Sequence, residues 1–135
     1  MQNSTLHPNA VLLSKLYTDF CEGHFERMLS YCGENVSFQV SGKSPLAGKF
    51  TKANFAEEFG NKLKSLSHGS YSFNVHDVLA SDLHGTVLAT VKLTSQGKTV
   101  ELRTVHVWRF ENGKPIAGYE YTRDLYQFDA AWTIA

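Results

Sequence analysis

A chain of 135 residues is long enough for one domain with its own core, and one domain over residues 1–135 is the expectation. Hydrophobic residues make up 42% and aromatics 13%, while charged residues, at 19%, are fewer than a typical soluble surface carries, which points to a covered face. Thirteen Lys and Arg balance thirteen Asp and Glu, so the chain lacks the electrostatic footprint of a nucleic-acid or polybasic membrane binder, leaving small molecules and copies of itself as expected partners.

The polar stretch Met1 to Asn9 carries neither a basic nor an apolar leader pattern, and no apolar run approaches the roughly 18 residues of a membrane span. A cytoplasmic location is expected. Asn9 is read as the cap of a first helix with the face Leu12, Leu13, Leu16, Tyr17 and Phe20, stopped by Gly23. Phe25, Met28, Leu29 and Cys32 recur at i, i+3, i+4 and i+7, a second helix that ends at Gly33. Cys21 and Cys32 fall on these apolar faces and read as reduced core residues.

Val36, Phe38 and Val40 alternate as a strand, broken by Ser41-Gly42-Lys43-Ser44-Pro45. A third helix, capped by Thr51, presents Phe55, Phe59, Leu63 and Leu66 on one side. From Tyr71 the period changes to two. Tyr71, Phe73 and Val75 give way to Val78 and Ala80, which predicts a bulge near His76-Asp77. Val87 to Leu93 forms the next strand, Ser95-Gln96-Gly97-Lys98 turns it into Val100 to Phe110, and Asn112-Gly113 leads to a last strand from Ile116 to about Leu125. Three helices before an antiparallel meander predict an α+β sandwich whose curling sheet encloses a pocket.

One residue in this meander stands out chemically. His106 alternates with Leu102, Thr104, Trp108 and Phe110, on the apolar side of its strand. It is either a general acid or base in a pocket or a core histidine bonded to Tyr121 or to the backbone. Trp108, Tyr17, Tyr119 and Tyr121 are candidates to line a pocket for a flat ring, the alternative being core or dimer interface. Gln39 is a candidate hydrogen-bonding group there. Glu101 and Arg103 share the opposite face and read as an ion pair or dimer contacts. The remaining histidines, His7, His24, His68, His76 and His84, show no metal-ligand spacing, so neither a metal nor another cofactor is expected.

The element order, together with Phe20-Cys21-Glu22-Gly23-His24-Phe25, Ser44-Pro45-Leu46-Ala47-Gly48, Val105 to Lys114 and Asp124, resembles the nuclear transport factor 2-like superfamily, most closely its SnoaL-like and ketosteroid isomerase-like members. The resemblance implies a cone of three N-terminal helices on a strongly curved antiparallel sheet, an apolar internal pocket, and a homodimer formed through the outer face of the sheet. It implies no single activity, because the fold hosts several. Aligned on Glu22-Gly23 and on Val105-His106-Val107-Trp108, the steroid-isomerase catalytic positions hold Leu16, Gln39 and His106; Gln39 cannot act as a base, and Tyr17 lies one residue from the helix position. The epoxide-hydrolase positions hold Val87, Ala89 and Tyr121, which offer no carboxylate to activate water.

A SnoaL-like cyclase would use an acid on the last strand, for which Glu120 and Asp124 are candidates, Asp124 being preferred by its distance from Trp132. If Tyr121 faces the cavity, period two turns both carboxylates away from it. The resulting expectation is a cofactor-free cyclase or isomerase for a mostly apolar cyclic or aromatic small molecule. In it His106 carries the proton, Gln39 and Tyr121 orient an oxygen, and Trp108 and Tyr119 pack the ring. The alternative is a non-catalytic ligand-binding or protein-interaction module of the same fold.

Overall fold

The computed structural model describes residues 6–95 and 97–133. The expected leader-free N-terminal stretch and the Ser95–Lys98 turn therefore fall partly on residues 1–5 and 96, outside the described ones. Helix α1, Pro8–Cys21, begins two residues earlier than expected, because His7 rather than Asn9 caps it: its Nδ1 accepts from the Asn9 amide at 3.0 Å. Pro8 at the first position loses no bond by lacking an N–H. Asn9 is instead buried, and its Nδ2 donates to the carbonyls of Ser81 and Asp82, tying α1 to the sheet. Helix α2, Phe25–Ser30, follows after Gly23 takes a positive φ of 78°. Cys32 is buried as expected, whereas Cys21, at the end of α1, is exposed; both are free.

Strand β1, Ser37–Val40, is followed by a short strand that periodicity did not disclose, β2, Gly48–Thr51, paired antiparallel to it. Four residues with only Phe50 buried give little alternation to read. Thr51 thus ends a strand rather than capping a helix, and its amide donates to Asn54 Oδ1. A π-helical turn, Phe55–Phe59, runs into α3, Gly60–Leu66, and buries the expected Phe55, Phe59, Leu63 and Leu66.

Strands β3, Ser72–Ala80, β4, His84–Ser95, β5, Lys98–Glu111, and β6, Lys114–Thr122, form the antiparallel meander, and the expected bulge lies between Val75 and Asp77. The sheet is mixed rather than purely antiparallel: its order is β2-β1-β6-β5-β4-β3, with β1 parallel to β6. The pair β1–β2 covers the free edge that the meander would leave at β6. Helices lie against one side of this curved, unclosed sheet, an α+β cone.

The last strand ends at Thr122, not near Leu125. A fourth helix, α4, Leu125–Ala131, follows it, capped by Asp124, whose Oδ1 accepts from the Gln127 amide at 3.1 Å. Phe128, Ala131 and Trp132, spaced i, i+3 and i+4, are the buried face of this helix of about two turns. Glu101 pairs with Lys92 on the neighbouring strand at 3.4 Å rather than with Arg103. Among the described residues no helix is long and apolar enough to cross a membrane.

Candidate functional site

Along β5 the residues Leu102, Thr104, His106, Trp108 and Phe110 alternate into the core, and the register with β6 decides what meets them. The hairpin turn Asn112-Gly113 has positive φ at both residues, 51° and 76°, the geometry of a tight two-residue turn. Glu111 faces Lys114 and Phe110 faces Pro115, but Arg109 faces Ala117: Ile116 is the extra residue of a bulge. Pro115 has no amide hydrogen to give the ladder, so the break falls beside it. The one-residue slip reverses every later side chain of β6. His106 consequently stands opposite Glu120, and Trp108 opposite Gly118.

His106 is buried among aromatic rings, with the centroids of Phe38 and Phe73 each 5.1 Å away. Tyr17, reaching down from α1, places its hydroxyl 2.5 Å from His106 Nδ1, and Trp108 Nε1 donates to the same hydroxyl oxygen at 3.0 Å. An indole N–H only donates, so Tyr17's single hydrogen is left for Nδ1. His106 is then the neutral tautomer protonated at Nε2. Burial agrees, pulling the imidazole from its usual 6.5 down to about 3 and raising the Tyr17 phenol well above its ordinary range.

Glu120 completes the polar part of the same face. It is 5% exposed; the Thr104 hydroxyl bonds its Oε2, while its Oε1 has no partner among the described residues. Burial pushes the carboxyl from 4.5 up to about 7, against the opposing effect of the Thr104 bond. Thr104 can serve both charge states of its neighbour. With Glu120 ionised its hydroxyl donates to Oε2; with Glu120 protonated it can accept from the acid and turn its own hydrogen to the Tyr121 carbonyl, 3.2 Å away.

His106 and Glu120 border a narrow cavity walled by Phe20, Phe38, Phe73, Phe128 and Trp132 among others. It leaves about 20 Å³ for water centres, enough for about one water. Tyr17, His106 and Trp108 are thus brought together as one hydrogen-bonded group. Gln39, Tyr119 and Tyr121 are not: Gln39 pairs with Tyr119 between β1 and β6, Tyr119 and Tyr121 lie 6.5 Å apart, and all three belong to the face opposite the buried Phe38, Val40 and Glu120. Tyr121 is 55% exposed. Asp124 is spent on the α4 cap, away from the cavity. The condition that would have turned Glu120 outward, Tyr121 facing in, does not hold, and the Pro115–Ile116 bulge is the reason.

A sequence profile for the SnoaL-like domain matches residues 13–117, most of the chain and nearly all of the meander. The chain belongs to the SnoaL-like family. Solved structures of similar fold include Bal32a from a soil-derived mobile gene cassette, 25% identical with a TM-score of 0.82 over 93% of this chain and 96% of that one. TerC, co-crystallised with polyporic acid, is 22% identical with a TM-score of 0.78, covering 93% and 98% of the two chains. A Xanthomonas campestris protein of unknown function is 21% identical, with a TM-score of 0.78 over 92% and 98%. No functionally curated protein matches the chain.

Proposed function

We propose that this SnoaL-like chain binds a mostly apolar cyclic small molecule between its helices and the inner sheet face and moves a proton on it without a cofactor, as an isomerase or cyclase does. One observation carries the reading: a buried carboxyl, Glu120, poised near neutrality with a free oxygen, directly across the sheet from His106. An ionised Glu120 takes a proton from a carbon next to a carbonyl, the C–H pair moves to make an enolate, and the protonated acid returns the proton elsewhere on the ring. His106, neutral and protonated at Nε2, serves as the hydrogen-bond donor to the enolate oxygen, so the proton carrier is Glu120 rather than the histidine. Tyr17 and Trp108 hold the imidazole in that tautomer. That TerC, of the same fold, was co-crystallised with polyporic acid supports a small-molecule role for the fold.

A second reading keeps the pocket without the chemistry: a non-catalytic binding module. What supports it is that neither the steroid-isomerase nor the epoxide-hydrolase catalytic set stands at its aligned positions in this chain. We further propose that two copies pair through the outer sheet face, where Leu88 and Tyr121 are exposed.

Deuterium uptake next to the carbonyl of a cyclic enone such as 2-cyclohexenone, followed in heavy water by mass spectrometry, separates the readings. Catalysed exchange that rises through about pH 7 and is lost in Glu120→Gln supports the acid–base reading. Exchange unchanged in that variant removes Glu120 from the chemistry, and ring binding without exchange leaves the binding module.

A further inference from the structure

The cavity has a second polar atom that the acid–base reading does not use. Trp132, the residue that closes α4, is 1% exposed, and its indole Nε1 has no hydrogen-bond partner among the described residues. Packing holds the ring in place: its centroid lies 5.7 Å from that of Tyr71 and 6.4 Å from that of Phe128. A buried donor left unpaired costs about 1–3 kcal/mol, which is why native indoles usually find an acceptor. Trp108 obeys that rule through Tyr17; Trp132 does not. Among the described residues, the two buried side-chain atoms without partners, Glu120 Oε1 and Trp132 Nε1, belong to residues lining the same cavity.

Resting on the reading of this cavity as a ligand site, we propose that Trp132 Nε1–H and Glu120 Oε1 are the paired anchors for a ring ligand bearing a carbonyl or hydroxyl oxygen. The indole nitrogen only donates, so it requires an acceptor. The carboxyl donates when protonated and accepts when ionised. A ketone oxygen satisfies the indole together with the protonated acid, and a hydroxyl satisfies the indole together with the carboxylate. The pair therefore accommodates either a ketone oxygen, with Glu120 protonated, or a hydroxyl, with Glu120 ionised. A pure hydrocarbon ring would leave both anchors unpaired, so Trp132 acts as a specificity-determining residue of this cavity. Its place at the end of the seven-residue α4 puts the anchor outside the meander that carries Glu120 and His106.

The test uses two probes of one shape, cyclohexanone and methylenecyclohexane, titrated into the ¹⁵N-labelled full-length protein while the two indole N–H resonances are followed. The ketone is expected to bind at least about tenfold more tightly than the hydrocarbon and to shift the Trp132 indole resonance, with that of Trp108 nearly still. Trp132→Phe is expected to erase the tenfold preference while keeping the affinity for the hydrocarbon. Equal affinities, a preference that survives in Trp132→Phe, no binding of either probe, or an indole resonance that marks an ordered water only and ignores the ketone would each overturn the proposal. Should Trp132→Phe not fold, the wild-type indole shift and the wild-type preference still decide it. Failure here is separable from failure of the acid–base reading: ketone preference through Trp132 alongside exchange that ignores Glu120→Gln sinks only the latter. Exchange that needs Glu120 without any Trp132 dependence sinks only the former.

Discussion

The inner face of the sheet holds two polar arrangements side by side, and they are finished to different degrees. In the chain Trp108–Tyr17–His106 the indole donates, the phenol both accepts and donates, and the imidazole accepts at Nδ1, leaving the ring neutral. In the neighbouring Thr104–Glu120 pair one carboxylate oxygen is bonded and the other is not, and another residue lining the cavity, Trp132, carries a buried indole N–H without a partner among the described residues. Both arrangements are buried under the same aromatic roof. A satisfied network rigidifies a core, whereas a half-satisfied one carries a continuing cost that structure alone does not offset. The histidine that looks most chemical is the better-anchored group, and the glutamate opposite it on β6 is the less satisfied one.

Breaking the finished chain should have the largest effect. Trp108 is 1% exposed, stacks on Phe38 at 5.7 Å and covers Gly118, where a Cβ would stand 2.8 Å from both rings. Trp108→Ala is expected to cost about 3–5 kcal/mol in urea unfolding. A loss under about 1 kcal/mol would mean that the chain is not the structural element described.

Titration sharpens the contrast, because the two groups respond to pH with opposite sign. Glu120 has a folded pKa near 7 against an ordinary 4.5, so the folded state holds its proton more tightly. Its contribution is fully present below 4.5 and is lost as pH rises through about 7, a loss of roughly 3 kcal/mol for the size of that shift. His106, with a folded pKa near 3 against 6.5, works the other way: the unfolded chain protonates first, and stability is lost as pH falls from 6.5 towards 3. Between 4.5 and 6.5 the two slopes oppose. Glu120→Gln should remove the decline between pH 4.5 and 7 and leave the acid-side loss in place, which denaturant midpoints at pH 5 and pH 8 would read directly. Equal midpoint changes in both proteins would show that Glu120 is ionised in the folded state throughout.

A smaller effect separates the hydroxyls of the two arrangements. Tyr17→Phe strips partners from Trp108 Nε1 and His106 Nδ1 together and should cost about 1–3 kcal/mol. Thr104→Val removes a bond that favours the ionised carboxyl, so its sharper signature is a Glu120 pKa displaced above 7, visible as an upward shift in the pH midpoint of stability or of exchange. A downward shift would reverse the assigned role of Thr104.

How much of this was legible in the sequence follows the same division. Alternation along β5 placed Thr104, His106 and Trp108 on the inner face, and helix periodicity placed Tyr17 against them, because both signals are local and repeat several times. Glu120 is a candidate in the sequence whose facing is left open between it and Tyr121, since that facing depends on one extra residue at Ile116 and period-two patterning carries no count across a bulge. Pro115 was the available signal: a residue that cannot donate, set within a strand, marks where a ladder breaks. Asp124 is singled out in the sequence by its distance from Trp132 and caps α4 instead; the i, i+3, i+4 spacing of Phe128, Ala131 and Trp132 after it is the signal for that helix. The edge strand β2 and the parallel β1–β6 pairing are long-range outcomes with no local signature.

The smallest expected effect tests the outer face against the inner one. Gln39, Tyr119 and Tyr121 sit across the sheet from the cavity, and with Tyr121 half in solvent its replacement by Ser should change the stability of an isolated chain by no more than about 0.5 kcal/mol. The value depends on what lies on that face. If two copies pair there, Tyr121 is buried against the partner, the loss grows with the area covered, and stability becomes dependent on protein concentration. Sedimentation of the wild type and Tyr121→Ser over a range of concentrations, beside unfolding at the same concentrations, reads both quantities. A wild-type dimer weakened by the substitution assigns Tyr121 to association. A wild type that stays monomeric would remove the proposed pairing and leave Tyr121 an ordinary exposed residue, with the functional weight of the sheet resting on its inner side alone.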